Sequence, residues 1–420
     1  MVNATIPGTY VEIKAGQRDT AAVSGVVAMP LALSWGDRVI ELASGENPLL
    51  KLGYKINDAK IKLIREVMNY ANGLILYRLN EGEKAQGTVG GATVTAAYGG
   101  DRGNDISVTV KAVTGGYQVK TFLGTAEVDS QVIASVAGFR ANGFVEITGS
   151  SIAAGTAKLT GGSDGTVEGT AYDEWLEELE QWEYNVIAYT GTDTATMTKI
   201  QQYVDAKNEA GCPIQAVMCG SGFDDPYIIN NTVGGKTTGY ELTAAEACAT
   251  MAGIQAACGI SQSATYYYPV SGWTDVSPRL TEAAQELRTQ AGETLFVYKH
   301  GRVMALYDIN SLTTYTDERP EEFHKNLVVR TYGQYSRDLQ ELLDTRAVGQ
   351  IRNSVDGRNQ IKGMIYEMTT REYSDKGYVI DFTADDIVVE PGTKRDEVVA
   401  GVNLRVADTT DKIYVTVTAL

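Results

Sequence analysis

Hydrophobic and polar residues alternate along one segment near each end of the chain, which is the pattern of a β-strand with two unlike faces. The two predicted strands consist of Thr9, Tyr10, Val11, Glu12 and Ile13 near the start, and of Ile413, Tyr414, Val415, Thr416 and Val417 near the end. An unprotected strand offers its backbone amides and carbonyls to any chain that can pair with it. The remaining sequence has to explain why the protein carries such a strand at both ends.

Strand-like and helix-like segments alternate between these two ends. Two apolar strands are predicted on either side of an interruption from Pro30 to Gly36. A helix follows, in which Ile61, Ile64 and Val67 recur at helical spacing, and a short buried strand comes after it. Later in the sequence a long helix is predicted to begin near Pro320. Alternation of this kind indicates an α/β core.

The pattern changes between Gly87 and Gly162, where short alternating segments are separated by glycine-rich turns. Within this stretch the pair Asn142-Gly143 predicts a β-hairpin. Helix and strand alternation resumes at Asp173 to Trp182. We therefore expect a small β-sandwich or β-barrel that is inserted into the α/β core.

Composition narrows the range of partners. The chain has 420 residues, of which 43% are hydrophobic, enough for the cores of two or three domains. Its formal net charge of -17 repels nucleic acid and anionic membranes, so we expect protein partners, no direct nucleic acid and no membrane insertion. The absence of a long apolar run or signal pattern predicts a cytoplasmic protein. Reduced, buried thiols are expected at Cys212, Cys219, Cys248 and Cys258.

Two short motifs suggest enzymes but depart from the full patterns. A phosphate-binding loop requires a glycine five residues before Gly235, and that position is Asn230. We therefore expect the GGKT segment at Gly234 to Thr237 to be a polar turn. The segment Cys219 to Phe223 resembles a nucleophile elbow around Ser221, but the flanking glycines of that motif are missing. Neither motif predicts a catalytic residue.

Candidate acid, base and metal groups are also scattered. His300 and His324 have no clustered partners of the kind that metal sites and catalytic triads need. The pairs Asp224-Asp225 and Asp385-Asp386 are better explained by turn capping or a solvated face than by acid-base chemistry. Asp101 to Val108 lacks the final acid of a calcium loop and predicts a plain β-turn. We expect no catalytic residue, no cofactor and no metal.

The last part of the chain, from about residue 353, combines a helix around Gln360 to Thr370 with several strands. It also collects three basic residues, Arg352, Arg358 and Lys362, within a very acidic protein. A local positive patch could bind an acidic partner, and a solvated loop explains the same residues equally well.

An ordered set of segments resembles the contractile tail sheath proteins of myophages, R-type bacteriocins and phage-like particles. The similarity covers nearly the whole chain and is greatest to the shorter sheath proteins of Gram-positive hosts. The segments are IPGTYVE, VVAMPLALSWGD, LTGGSDGT, KNLVVRTYGQYSRDLQELL, IRNSVDGRNQIKGMIYEM, ADDIVVEPGTKRDEVV and DKIYVTVTAL. One departure is that Arg405 to Lys412 lacks the proline-valine-aspartate stretch that often precedes the last strand of the family.

This resemblance implies a structural subunit and not an enzyme. Such subunits polymerise as a helical stack of hexameric rings around an inner tail tube protein, and contract to drive the tube through a cell envelope. The terminal strands leave their own subunit and pair with neighbours, and the region of Arg352, Arg358 and Lys362 faces the tube. Further implied partners are the baseplate and tail terminator proteins, with assembly in the cytoplasm of a bacterial host and final location in the virion tail.

The expected fold class is therefore a multidomain α/β and α+β protein with exchanged terminal strands. The expected divisions are an N-terminal arm and linker at 1–20, an α/β core at 21–86 plus 163–345, an inserted β domain at 87–162, and a C-terminal assembly domain at 346–420.

Two alternatives remain open from the sequence. An α/β hydrolase or nucleotide-binding enzyme with a β insertion would explain the alternation of helices and strands, but not the terminal strands or the incomplete catalytic patterns. A non-contractile lattice protein would also be acidic and prone to assembly. The order of the family-like segments separates that protein from a sheath subunit.

Overall fold

The structure, a computed structural model, describes residues 25–267 and 269–418. The strand expected at Thr9 to Ile13 lies outside the described residues. The strands are β1 (Val26–Leu31), β2 (Val39–Ala43), β3 (Gly73–Arg78), β4 (Lys84–Val89), β5 (Ala92–Gly99), β6 (Ile106–Val113), β7 (Gly116–Leu123), β8 (Ala126–Ile133), β9 (Val145–Thr148), β10 (Gly155–Lys158), β11 (Val186–Ala188), β12 (Gln215–Met218), β13 (Ile228–Asn231), β14 (Gly234–Thr237), β15 (Glu241–Leu242), β16 (Trp273–Ser277), β17 (Glu293–Thr294), β18 (Phe296–Lys299), β19 (Arg302–Ala305), β20 (Ile387–Pro391) and β21 (Val398–Val402).

The α-helices are α1 (Leu49–Leu52), α2 (Lys62–Met68), α3 (Ala171–Glu178), α4 (Thr194–Glu209), α5 (Cys248–Cys258), α6 (Glu282–Gln290), α7 (Asn326–Arg346) and α8 (Val355–Thr369). Together with the strands they form a mixed α/β protein with several separate sheets. The predicted β-α-β unit is confirmed as β1, α2 and β3, and the predicted long helix is confirmed as α7.

The central sheet has seven strands in the order β17-β13-β12-β11-β1-β3-β2. All neighbours are parallel except β2, which runs antiparallel to β3. Successive residues of β1 point to opposite faces, so Val27 and Met29 join one apolar cluster with α2 and α5, while Ala28 joins another with α3 and α4. Helices therefore cover both faces, as parallel sheets require.

A β-rich region, residues 84–158, contains two antiparallel sheets, β4-β5-β9 and β10-β6-β7-β8. Residues of both sheets share one apolar cluster, and Trp35 from the loop between β1 and β2 belongs to it. Trp35 stacks on Phe144 with ring centroids 6.1 Å apart. Because β4 begins at Lys84, the expected boundary at Gly87 falls inside a strand.

The hairpin predicted at Asn142-Gly143 is wrong, because β9 pairs with β5 and not with the preceding strand β8. The Asn142 side chain instead accepts hydrogen bonds from the backbone amides of Phe144 and Val145, both at 3.0 Å. This local turn has the same residue preferences as a hairpin turn. The segment Asp101–Asp105 is likewise a 3-10 helix and not the plain β-turn that we expected.

The segment Gly234–Thr237 is strand β14 and not a polar turn. It lies between β15 and β16 in a three-stranded sheet. A Cβ atom at Gly235 would lie 2.1 Å from the Trp273 ring, so glycine is required there by close packing and not by a phosphate. The GGKT sequence therefore serves the core.

The C-terminal sheet consists of β20 and β21, which pair antiparallel from Ile387 opposite Val402 to Pro391 opposite Val398. Helix α8 packs beside β20, and Ile387 is buried on that side. A 3-10 turn at Ala384–Asp386 precedes β20, so the strand begins later than the alternation from Tyr378 onward predicts. The turn is capped by Thr383 and Asp386, in agreement with the capping expected for the Asp385-Asp386 pair.

Candidate assembly surfaces

The first part of the C-terminal arm, which we define as residues 403–418, is hydrogen-bonded to an earlier part of the chain. The backbone amide of Ile380 donates to the carbonyl of Arg405, and the amide of Ala407 donates to the carbonyl of Tyr378, both at 2.9 Å. Val379 and Val406 form an isolated antiparallel β-bridge between these two bonds. The first part of the arm thus lies against the segment that leads to β20.

The end of the arm is exposed. Ile413 and Val415 are each 77% exposed, Val417 is 88% exposed and Tyr414 is 90% exposed. No strand of the described residues pairs with this segment, although its sequence alternates like a strand. Three aliphatic side chains and a tyrosine at these exposures are unusual for a folded chain that has no partner.

The C-terminal sheet has unpaired edges among the described residues. In the described part of the chain it contains β20 and β21 and no third strand, so each strand has one unpaired edge. On its outer face Val388 lies opposite Gly401, and Val399 lies opposite Glu390. Both valines are exposed. Open edges and an apolar outer face are features that pairing with another chain would cover.

Helix α7 connects the C-terminal region to the central sheet through a buried joint. Arg330 of α7 forms an ion pair with Asp308, with Nη2 2.9 Å from Oδ2, and the two side chains are 9% and 1% exposed. Gln255 and Asn326 each donate a side-chain amide to Asp308 Oδ1, at 2.8 and 2.9 Å. The Asp308 carboxylate is thus saturated by donors from α5 and α7.

Electrostatics keep the joint charged. Burial on its own would raise the pKa of Asp308, but the Arg330 guanidinium and the hydrogen bonds to the carboxylate outweigh burial and lower that pKa below its ordinary value. About two helical turns further along α7, Arg337 donates to the carbonyl of Pro213, and burial lowers the pKa of Arg337. Gly333 lies between these two arginines, and a Cβ at that position would be only 3.2 Å from Pro213.

A second charged contact fastens the arm itself. Lys325, the residue before α7, forms ion pairs with Asp408 at 3.4 Å and with Asp411. Burial would lower the pKa of Lys325, whereas the hydrogen bond to Asp411 and the charge of Asp408 raise it above its ordinary value. Sequence analysis missed Lys325, because Asp411 lies 86 residues away and no local pattern connects the two residues.

The three basic residues that we predicted as a tube contact lie at the start of α8. Ser354 caps this helix, Arg352 is exposed just before the cap, and Arg358 and Lys362 are one turn apart on α8. Arg358 donates to Asn353 Oδ1 at 2.7 Å. Asn353 in turn donates to the carbonyl of Glu397 at 2.8 Å, which connects the basic residues to the turn of the C-terminal sheet.

The motifs considered for catalysis are dispersed. A cleft of about 730 Å³ beside α7 has neither Ser221 nor Lys236 nor a histidine in its lining. His324 contacts the carbonyl of Leu312 through Nδ1, and burial lowers the pKa of His324. Asp225 accepts from the amide of Tyr227 at 2.7 Å and so caps a local turn, as predicted, whereas Asp224 accepts from the amides of Thr313 and Thr314 in a distant part of the chain.

Metal-site, membrane-span and thiol features can be compared with the sequence expectations in the same way. Among the described residues, no three acidic, histidine or cysteine side chains are grouped as a metal site would require. Nor does any described helix have the length and apolar character to cross a bilayer. Cys248 and Cys258 are buried as expected, but Cys212 is exposed, which contradicts the expectation for that thiol.

Three family descriptions match successive parts of the chain. "Tail sheath protein Gp18 domain III N-terminal region" matches residues 24–79, "Phage tail sheath protein central domain" matches residues 165–311, and "Phage tail sheath C-terminal domain" matches residues 318–419. The second match covers four of the seven strands of the central sheet, and the third covers α7, α8, the C-terminal sheet and the whole arm.

Individual relatives match from about half of the chain to almost all of it. The phage-like element PBSX protein XkdK of Bacillus subtilis is 30% identical, with 97% of this chain and 96% of the relative aligned. The tail sheath protein of Clostridium phage phiCD119 is 27% identical over 52% of this chain and 61% of the relative. The crystal structure of a sheath tail protein from Desulfitobacterium hafniense has a TM-score of 0.82 and 31% identity, and it covers 95% of this chain and 100% of that chain.

The fold and the open C-terminal surfaces define a structural subunit that is built for assembly with other chains. The chain belongs to the phage tail sheath protein family, whose members are the subunits of contractile tails. A more distant likeness, with a TM-score of 0.58 and 13% identity, connects the fold to the helical sheath of the anti-feeding prophage in its contracted state.

Proposed function

We propose that the chain polymerises as a helical stack of hexameric rings around an inner tail tube, and contracts to drive that tube through the envelope of a target cell. The similarity to sheath proteins over almost the full chain supports this function. The baseplate and tail terminator proteins would bind at the two ends of the stack. Assembly would take place in the cytoplasm of the bacterial host, without direct contact with nucleic acid or insertion into a membrane.

One observation carries the assembly mechanism: an exposed alternating segment, residues 413–417, belongs to a chain that also has an open two-stranded sheet. A strand from one copy can extend the sheet of another copy by main-chain pairing. Each new hydrogen bond contributes about 0.5 to 1.5 kcal/mol, so a five-residue strand stabilises a contact without specific side chains. The strand at Thr9 to Ile13 would pair with a neighbour in the same way.

The sharpest test is proline at position 415. Val415→Pro removes one amide donor and fixes the backbone angle φ, so it should prevent strand pairing between copies. Because Val415 is exposed, the free energy of unfolding of the monomer should change by less than about 0.5 kcal/mol. Electron microscopy of concentrated protein should show tubes for the unmodified chain and none for the variant.

Val415→Thr provides the matched control, since threonine keeps the amide and the β-branched side chain. It should form tubes like the unmodified chain. If Val415→Pro unfolds the monomer, the segment belongs to the core of its own subunit. If normal tubes persist with proline, the segment does not connect subunits, and strand exchange at this end is excluded.

We further propose that Arg352, Arg358 and Lys362 face the inner tube. They form a basic group in an acidic chain, and they are connected through Asn353 to the C-terminal sheet. Changing all three to glutamate should weaken assembly on purified tubes more strongly at low salt than at high salt, because salt screens exposed charges. The matched control changes Lys84, Lys111 and Lys158, three exposed residues of the β-rich region, to glutamate. A salt-independent defect would indicate a structural role.

The β-rich region is proposed to lie on the outer surface of the sheath as a separable unit. Its two ends are adjacent, because the amide of Glu83 donates to the carbonyl of Ser163 at 2.8 Å. A short glycine linker between these residues should therefore replace the whole region and leave assembly intact. Trp35 would lose its cover, so it should be changed to serine in the same variant. Soluble protein that no longer assembles would place this region in a subunit contact.

The same function implies no enzymatic turnover. Ester and nucleotide hydrolysis assays on homogeneous protein should show no activity above the uncatalysed rate. The matched variants are Ser221→Ala and Lys236→Met, which remove the two groups that incomplete motifs suggested. Turnover that disappears in either variant would favour a hydrolase or a nucleotide-binding enzyme.

A further inference from the structure

The C-terminal arm is bound to its own subunit at Asp411 and is exposed to solvent two residues later, at Ile413. Asp411 is 10% exposed at its side chain and pairs with Lys325, whose side chain is 17% exposed. Ile413 is already 77% exposed. Before Asp411, the last backbone hydrogen bond between the arm and a distant part of the described chain is donated by the amide of Ala407 to the carbonyl of Tyr378. The charged contact therefore lies at the boundary between the fixed and the free part of the arm.

Lys325 is itself held firmly. Its amide donates to the carbonyl of Glu322, and it forms an isolated β-bridge with Ile309. Its ammonium group lies 4.4 Å from the centre of the Tyr307 ring, a favourable position for a cation. The next residue, Asn326, contributes to the buried joint around Asp308. Lys325 thus belongs to the part of the molecule that is packed on the central sheet.

We propose that Lys325, paired with Asp408 and Asp411, is the anchor that sets where the exchanged arm leaves its own subunit. The segment that a second copy of the chain receives then starts at Lys412. This inference rests on the proposed strand exchange. It gives Lys325 the role of a positioning residue, because Lys325 determines the free length of the arm and contributes no strand hydrogen bond to the second copy.

Loss of the anchor would lengthen the free segment. Without the ion pairs of Lys325, the last described contact that fixes the arm is the backbone hydrogen bond donated by Ala407, five residues before Lys412. Five extended residues add about 17 Å of reach. A longer tether lowers the effective concentration of the strand at a neighbouring sheet and allows more than one spacing between subunits. The anchor would therefore control the regularity of the lattice as well as its strength.

Limited digestion with trypsin tests the anchor on dilute monomer, without any assembly. In the unmodified chain, cleavage after Lys412 should be fast, and cleavage after Arg405 should be slow because the arm is held there. Lys325→Met keeps the length and the apolar part of the side chain. Without the charged contact beyond them, the backbone hydrogen bonds of Arg405 and Ala407 lie at the end of the held segment and open more often, so the rate of cleavage after Arg405 should rise about tenfold. Mass spectrometry of the released peptides distinguishes the two cleavages.

Three further variants keep this result interpretable. Asp408→Asn with Asp411→Asn should reproduce the effect of Lys325→Met from the other side of the contact. Lys325→Asp with Asp411→Lys should restore slow cleavage after Arg405. Asp381→Asn removes the partner of Arg405 in an exposed ion pair, and should change that cleavage less than twofold. Equal rates of cleavage after Arg405 in the unmodified chain and in Lys325→Met would overturn the proposal that Lys325 anchors the arm.

Electron microscopy then separates the anchor from the proposed function. Lys325→Met should raise the protein concentration needed for tubes about tenfold or give tubes of irregular subunit spacing. Regular tubes at the unmodified concentration, together with faster cleavage after Arg405, would overturn the role of Lys325 in assembly. If the unmodified chain forms no tubes under any condition, the strand-exchange function fails, while digestion still decides whether Lys325 holds the arm.

Discussion

The central sheet and the C-terminal sheet use the same types of residue with opposite exposure. All four residues of β12 in the central sheet are buried, whereas no residue of β21 in the C-terminal sheet is buried. Helices cover both faces of the first sheet, and α8 covers one side of the second. The comparison shows that the helices packed on a sheet, more than the composition of its strands, decide whether its residues are buried within the subunit or stay exposed for pairing with another chain.

The largest effect is expected from the joint between the two regions. Arg330→Met would leave the Asp308 carboxylate buried without its cation, and should reduce the free energy of unfolding by about 3 to 5 kcal/mol. Chemical denaturation followed by circular dichroism measures the change. The double variant Arg330→Met with Asp308→Asn removes the charge as well and should recover part of the loss. A loss below about 1 kcal/mol would show that the joint does not hold the regions together.

The same substitution in the two sheets sharpens the comparison directly. Val217→Thr in β12 would bury a hydroxyl at a site that is now fully apolar, at a cost of about 1 to 3 kcal/mol. Val399→Thr in β21 should change the free energy of unfolding by less than about 0.5 kcal/mol, because that side chain is exposed. Equal costs in urea denaturation of the monomer would contradict the distinction between the closed and the open sheet.

A smaller, pH-dependent effect is expected in the central region. Burial and the neighbouring Asp225 carboxyl raise the pKa of Asp205 in α4 to about 6. Asp205 Oδ1 is buried and has no donor among the described residues, which suits a proton shared between the two carboxyls. Since the folded protein holds this proton more tightly than the unfolded chain, the contribution of Asp205 to stability falls as the pH rises from about 4 to 6.

Asp205→Asn should remove this dependence, because the amide can donate to Asp225 at every pH. Relative to the unmodified chain, the variant should be more stable above pH 6 by about 1 kcal/mol, a value reduced for the partial exposure of the site. Denaturation at pH 4.5 and at pH 7.5 measures the difference. Identical pH profiles for the two proteins would mean that Asp205 is charged and solvated in the folded state.

The smallest effect is expected for the exposed ion pair of the C-terminal region. Arg405 and Asp381 lie 3.2 Å apart, with side chains 72% and 74% exposed. Arg405→Met should change the free energy of unfolding by less than about 0.5 kcal/mol, since exposed pairs contribute little. Thermal unfolding of this variant beside Arg330→Met compares two arginine-aspartate pairs that differ mainly in burial. Similar losses would show that burial is not what separates them.

Local patterns were sufficient to predict many elements from the sequence. The helical spacing that predicts α2 and the apolar runs that predict β1 and β3 depend on residues that are near one another along the chain. The segment 413–417 also has the alternation of a strand, and no strand within residues 25–267 and 269–418 pairs with it. Its pairing between copies stays a prediction, because the structure contains one chain.

Other features depend on contacts that no local pattern contains. β1 lies beside β11, which follows it by more than 150 residues, so the strand order could not be predicted from alternation. Asn142 and the GGKT segment were misassigned because turns, capped loops and glycine-rich strands share the same residues. The pairing of Lys325 with Asp411 likewise needs the folded chain.

The two attachments of α7 have a mechanical consequence. Arg330 is bound at Asp308 and Arg337 at Pro213, and seven residues of helix place these points about 10 Å apart along the axis. A rod that is held at two separate points cannot pivot about either of them. We therefore expect torque applied to the C-terminal sheet to be transmitted through α7 to the central sheet, and the segment beyond Lys412, whose side chains are exposed, to deform more easily than this joint.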